Sequence, residues 1–321
     1  MPAQLVFGGG SFMNEATYGG SEGRAEALTL MMSSGVNIID TAHIYQDNEK
    51  ILGELGAAKE FVIDTKYPGA FGPEPTTKEG ILAIAEESLK KLQTTQVDVY
   101  YLHSPDRRVP LEVQADAVNT LYKDGKIKRF GVSNFLASEV EELVTLTKEK
   151  GWIVPSVYQG NYSAVARRQE KELFPTLRKH GIQFYAYSPI AGGFLSKDVE
   201  TLTKNAEGRW DPSTYFGQLY HALYNRPSLM EGLKIWEGIA KEAGISRAEL
   251  AYRWVVHNSG LKGEFGDKVI FGARTIEQLR ETLEVTKKGP LPVDVVNKID
   301  EIWSLVEKDA PLDNFNDLVA K

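Results

Sequence analysis

Eight short apolar or β-branched runs recur along this chain, at residues 5–8, 36–40, 61–65, 97–102, 129–132, 156–159, 183–187 and 268–271. Stretches of helical period fill the gaps, and this alternation narrows the fold more than any other feature. Strand and helix repeating with one polarity is the pattern of βαβ units on a parallel sheet. Over residues 77–92, Ile81, Ile84, Ala85, Ser88, Leu89 and Leu92 share one helical face, opposite Glu79, Glu86, Glu87, Lys90 and Lys91. Helices starting near Leu111, Ser138 and Thr275 repeat the theme, and Ser138 with Glu141 reads as a capping box.

Two architectures accommodate such a string, an open doubly wound sheet and a closed barrel. The open sheet marks its dinucleotide site with G-x-G-x-x-G. Here Gly8-Gly9-Gly10 runs into Ser11, Phe12 and Met13, so the fingerprint is missing. The expectation is an α/β chain forming a single (β/α)8 TIM barrel domain over residues 1–321, a length such barrels routinely reach. Two helices at 246–258 and 293–307 exceed what eight units need, and residues 190–226, rich in glycine and aromatic side chains, read as a long loop after the seventh strand.

Composition removes several function classes. There is no cysteine, which eliminates disulfides, thiolate nucleophiles and cysteine metal sites. A net charge of -7 argues against nucleic acid or anionic membrane as a partner. The N-terminus has no basic, apolar leader pattern, and no apolar run approaches bilayer-spanning length, so the expected location is cytoplasmic. No spacing of the H-E-x-x-H kind surrounds His43, which reads as structural, and no metal is expected.

In a barrel of this kind the C-terminal strand ends and the loops after them face the active-site mouth. The second strand runs out through Asp40 to Tyr45, the third ends on Thr65-Lys66, and the fourth ends on Leu102-His103. Singly these are an ion pair, a packed tyrosine and a core histidine. Converging from three successive strand ends, they point to proton transfer: Lys66 beside Tyr45 favours phenolate and lowers the tyrosine pKa, and Asp40 keeps the lysine charged. His103 then orients a carbonyl oxygen or assists the relay.

Asp40-Thr41-Ala42-x-x-Tyr45 with Glu49 and Gly53 resembles the first signature of the aldo-keto reductase superfamily. Further matches are Lys66, Val97-Asp98-Val99-Tyr100-Tyr101-Leu102-His103-x-Pro105-Asp106, Gly131-Val132-Ser133-Asn134-Phe135 and Ala186-Tyr187-Ser188-Pro189-Ile190-Ala191-Gly192-Gly193. Tyr158-Gln159-Gly160-Asn161-Tyr162-Ser163 and the aromatic segment before Arg226 are most similar to the aflatoxin-aldehyde and succinic-semialdehyde reductases. The resemblance implies NADPH-dependent reduction of a small carbonyl compound, with Asp40, Tyr45, Lys66 and His103 as the catalytic tetrad. It further implies carboxamide contacts from Ser133, Asn134 and Gln159, nicotinamide stacking on Tyr187, and a pyrophosphate under the loop that begins at Ser188 and includes Gly192.

The stretch from Gly272 through Arg274 and Gln278 matches the family's adenosine site, with Gln278 where many members carry Arg and Thr282 where many carry Asn. Arg274 remains to bond a 2′-phosphate. Tyr215, Phe216, Tyr220 and Tyr224 suggest an apolar wall over the substrate. Arg226 is either a fork for a substrate carboxylate or a surface arginine at a helix entrance. Subgroup relatives suggest a homodimer. The rival reading is a redox-sensing binding subunit of the potassium-channel β type, which shares the barrel and much of the tetrad.

Overall fold

The computed structural model describes residues 1–13, 17–204 and 208–319. Eight parallel strands close into a barrel in sequence order: β1 Gln4–Gly8, β2 Ile38–Asp40, β3 Val62–Tyr67, β4 Val97–Leu102, β5 Ile127–Ser133, β6 Pro155–Asn161, β7 Gln183–Tyr187 and β8 Lys268–Phe271. β8 pairs back onto β1 from Gln4↔Lys268 to Phe7↔Phe271, so the sheet has no edge.

Alternation along the strands divides the apolar side chains into two cores. Val6, Ile38, Val99, Tyr101, Val157, Tyr185 and Ile270 fill the barrel interior. A larger core lies between the strands and the surrounding helices; Lys78–Lys91 contributes Ile81, Ala85 and Leu89 to it, as its period predicts. Above the interior apolar layer the inward positions turn polar, and there the sequence places Asp40, Lys66, Ser133 and Gln159.

Two expectations change at this level. The helix Ala137–Lys150 is capped two residues earlier than Ser138 and Glu141 suggest: the Glu139 carboxylate accepts the Leu136 N–H at 2.7 Å, while Glu141 pairs with Lys179 and His180 of the next helical layer. A cross-helix ion pair has taken the residue that the local pattern assigned to the cap. The segment after β7 is also more regular than a loop, carrying short helices at Ala191–Ser196, Val199–Lys204, Gly208–Trp210 and Tyr215–Tyr224; residues 205–207 within it lie outside the described residues. Its aromatic residues explain the order: Trp210 stacks on Phe194 and Tyr220, and Phe194 stacks on Tyr224.

The helix Pro227–Glu242 then packs against Val293–Val306, where Gly232 allows close approach to Ile302 and Val306. From there the C-terminal segment returns across the strand-end face of the barrel. No helix among the described residues is long and apolar enough to cross a membrane.

Candidate active site

Strand register places the four candidate catalytic groups at one mouth. Asp40 pairs with Asp64 in register, and Lys66 with Tyr101 on the neighbouring strand. Beyond β2 the chain keeps bonding to β3, with Thr41 N–H donating to Asp64 O and His43 N–H to Lys66 O, and this zipper fixes the turn that carries Tyr45. A matching bond from His103 N–H to Tyr67 O holds the end of β4.

Lys66 is completely buried. Its ammonium donates to Asp40 Oδ2 at 2.7 Å and to Thr41 O at 2.6 Å, and stands 5.2 Å from the centre of the Tyr45 ring. The Tyr45 and His103 rings meet edge to face at 5.8 Å. The structure thus brings all four predicted groups together. Nearby, buried Glu49 accepts from Thr65 Oγ1 and lies 3.8 Å from His43 Nδ1, which gives His43 the supporting place expected of it.

The electrostatics fix three protonation states. Burial acts against the Lys66 charge, but Asp40, then Tyr45, outweigh it and raise the lysine pKa. Burial raises the Tyr45 pKa; Lys66 pulls it down, and Asp40 pushes it up again. The net direction for Tyr45 is therefore the reverse of the sequence expectation, because desolvation of the phenolate exceeds the lysine's pull. Burial, followed by the Lys66 charge, holds the His103 pKa well below the ordinary histidine value. At neutral pH the mouth holds an ammonium, a neutral phenol and a neutral imidazole. The phenol is a proton donor, and the imidazole offers one N–H to an oxygen.

The residues expected around a nicotinamide form a connected set. Gln159 Nε2 donates to Asp40 Oδ1 at 2.8 Å. Asn134, in left-handed backbone at φ 61, donates from Nδ2 to His103 O and Ser133 Oγ and accepts the Tyr187 hydroxyl at 2.9 Å. Past β7 the backbone is left-handed at Ser188, Ala191, Gly192 and Gly193, and a Cβ on Gly192 would stand 2.0 Å from the Tyr220 ring. Only glycine permits that approach.

At the far end, Arg274 N–H donates to Gln278 Oε1 in the first turn of Ile276–Val285, so Gln278 serves the helix start. A Cβ on Gly272 would come within 2.8 Å of Ser11 Oγ, which joins this loop to the one after β1. Gly208 lies against Arg274, where a Cβ would stand 2.7 Å from Nη1, and Arg209 follows it. Burial and then Arg209 lower the Arg274 pKa, and neither guanidinium is ion-paired among the described residues. Two adjacent cations with no counterion among the described residues fit an anionic group such as a 2′-phosphate. The sequence pointed to Arg274 as a candidate but not to Arg209, although its position in Gly208-Arg209-Trp210 within the glycine-rich segment was a usable signal.

The expected substrate residues are engaged within the protein. Tyr224 is fully buried under Phe194, with its hydroxyl 3.4 Å from Asn161 Nδ2, and Arg226 Nη1 donates to Asp309 O at 2.9 Å. Tyr220 is buried as well, whereas Tyr215 and Phe216 pair edge to face out in solvent. The four aromatics therefore make no common wall, and Arg226 ties down the C-terminal segment.

Comparison with known proteins decides the family. The sequence profile of the aldo/keto reductase family matches residues 4–304. The chain belongs to that family. Among curated relatives of this aldo/keto reductase, "Oxidoreductase sirO" of Leptosphaeria maculans is 40% identical over 288 residues, covering 89% of this chain and 87% of the relative. Human "Aldo-keto reductase family 7 member A3" is 37% identical, and so is human "Aflatoxin B1 aldehyde reductase member 4"; each match covers 89% of this chain and 90% of the relative. The subgroup suggested by the aromatic segment is thus present among the relatives, and the protein is an oxidoreductase of a family that acts on small carbonyl compounds with nicotinamide cofactors.

Proposed function

We propose that this aldo/keto reductase reduces aldehydes or ketones to alcohols with NADPH, Tyr45 acting as general acid. The observation that carries the proposal is the buried Lys66 ammonium, held by Asp40 and facing the Tyr45 ring at 5.2 Å. A carbonyl oxygen set between Tyr45 and His103 accepts the imidazole N–H, which aligns it. As negative charge develops on that oxygen, Tyr45 gives up its proton, and Lys66 stabilises the phenolate left behind. Gln159 fixes one oxygen of Asp40, leaving the other to Lys66.

Bound NADPH supplies the hydride. Ser133, Asn134, Gln159 and Tyr187 would hold its nicotinamide end, Ser188 and Gly192 the pyrophosphate, and Gly272, Arg274 and Gln278 the adenosine end, with Arg209 joining Arg274 at the 2′-phosphate. The proposed compartment is the cytoplasm.

Mixing the purified protein with NADPH and a panel of aldehydes, and following loss of reduced-nicotinamide absorbance, tests this reading. Many turnovers per protein chain are expected. A single stoichiometric oxidation followed by arrest would favour the redox-sensing subunit, and no oxidation at all would overturn the proposal.

A further inference from the structure

The end of the barrel opposite the mouth holds a cavity of about 600 Å³, lined in part by Gln4, Asp98, Arg129, Tyr185, Lys268 and Lys287. Gln4 opens β1 and Lys268 opens β8, and the two are partners in register; Lys268 is also in register with Tyr185 of β7. The cavity therefore lies at the N-terminal strand ends, a face that in such barrels ordinarily serves stability alone.

The charges lining it do not balance. Arg129 is matched, since Nη2 and Nε donate to Asp98 at 2.5 and 3.3 Å and Nη1 donates to Gln183 Oε1. Lys268 is not: its ammonium donates to the neutral amide oxygen of Gln4 at 2.7 Å and forms no ion pair among the described residues. The ammonium and the Arg129 guanidinium share one ring, lying 5.6 and 6.0 Å from the centre of Tyr185. The other acidic groups near Lys268 are already engaged. Asp267 accepts two bonds from Arg178 and the N–H groups of Phe184 and Lys262. Asp64 is pushed toward its neutral form by burial. Burial, followed by the Arg129 charge, accordingly lowers the Lys268 pKa. An ammonium has three donors, and Gln4 occupies one. Exposed Lys287 adds a further cation at the rim.

We propose that this cavity binds a small phosphate- or carboxylate-bearing anion, held by Lys268 with Lys287 at the rim. An anion there offsets the repulsion between Lys268 and Arg129 and takes up the ammonium donors that Gln4 leaves free. Because only the folded barrel assembles the site, the ligand also stabilises the fold. The proposal is independent of the carbonyl-reductase reading.

Isothermal titration calorimetry at low ionic strength tests it, with pyrophosphate and citrate as probes, on protein presaturated with NADP⁺ and on Arg274→Ala. Saturable binding of at least one probe is expected in both, together with a rise in unfolding temperature. Pyrophosphate alone would mark a phosphate ligand and citrate alone a carboxylate one. Lys268→Gln should weaken that binding by about 10-fold or more, the worth of a charged hydrogen bond, whereas Lys268→Arg, which keeps the charge, should retain most of it. Binding that Lys268→Gln leaves unchanged, or that Arg274→Ala abolishes, would overturn the proposal, as would the absence of saturable binding by either probe.

Discussion

Replacing Lys66 with Met removes the buried cation that stands over the Tyr45 ring, and its consequences can be worked from the geometry. Over 5.2 Å, at an effective dielectric constant of about 20, a unit charge contributes about 3 kcal/mol to phenolate stability. The turnover of Lys66→Met in carbonyl reduction should therefore fall by about 100-fold, at about 1.4 kcal/mol per decade. The same change removes the charge that pulls the Tyr45 pKa down, so the pH profile of alcohol oxidation, which needs the phenolate, should move to higher pH.

The substitution also strands Asp40, a buried carboxylate left with Gln159 Nε2 as its side-chain donor. An unpaired buried charge costs about 3–5 kcal/mol of stability. Adding Asp40→Asn removes the stranded charge and should restore much of that stability without restoring turnover. Steady-state kinetics in both directions, with urea unfolding of the single and double variants, separate the two effects. A folded Lys66→Met enzyme with wild-type turnover and an unmoved oxidation profile would refute the assignment of Lys66 as the stabiliser of the Tyr45 phenolate.

Arg274→Ala should weaken NADPH binding by about 10–150-fold, the worth of a charged hydrogen bond, and barely alter NADH; Arg209→Ala should act in the same direction, and equal losses for both cofactors in a fluorescence titration would remove these arginines from the 2′-phosphate. Asp64, inside the barrel below Lys66, has its pKa raised well above 3.8 by burial first and then by Asp40 and Asp98, although Val99 N–H donates to it. Its folded state thus holds a proton more tightly than the unfolded chain: stability is intact below pH 3.8 and declines as pH rises through the elevated folded pKa. Asp64→Asn, which keeps an acceptor for Val99, should be more stable than wild type at neutral pH in urea titrations, and a less stable variant would contradict this.

Period and polarity were sufficient for the strands. All eight runs became strands, and the main differences lie at ends such as β3, which continues through Lys66 to Tyr67 because residues 65–67 pair with Tyr100, Tyr101 and Leu102. The clustering of Asp40, Tyr45, Lys66 and His103 was legible for the same reason, since each sits at or just beyond a strand end. What stayed hidden depends on contacts distant in sequence. Gln159 reaches Asp40 across 119 positions, and Arg226 reaches Asp309 across 83, which gives a candidate substrate receptor an anchoring bond to the C-terminal segment. Arg129 and Lys268 carry no local pattern that marks them as neighbours; only closure of the barrel sets both against the Tyr185 ring. The Tyr45 pKa direction was misjudged because the charge of Lys66 can be anticipated from sequence, whereas the extent of burial that opposes it cannot.

Tyr45→Phe tests the proposed proton donor with the smallest change, because only the hydroxyl is lost. With NADPH binding followed by fluorescence and benzaldehyde reduction by absorbance, the variant should bind cofactor as the wild type does and turn over about 10²–10⁴-fold more slowly, the usual contribution of general acid catalysis. A Tyr45→Phe protein that binds NADPH and reduces benzaldehyde at the wild-type rate would show that Tyr45 is not the proton donor.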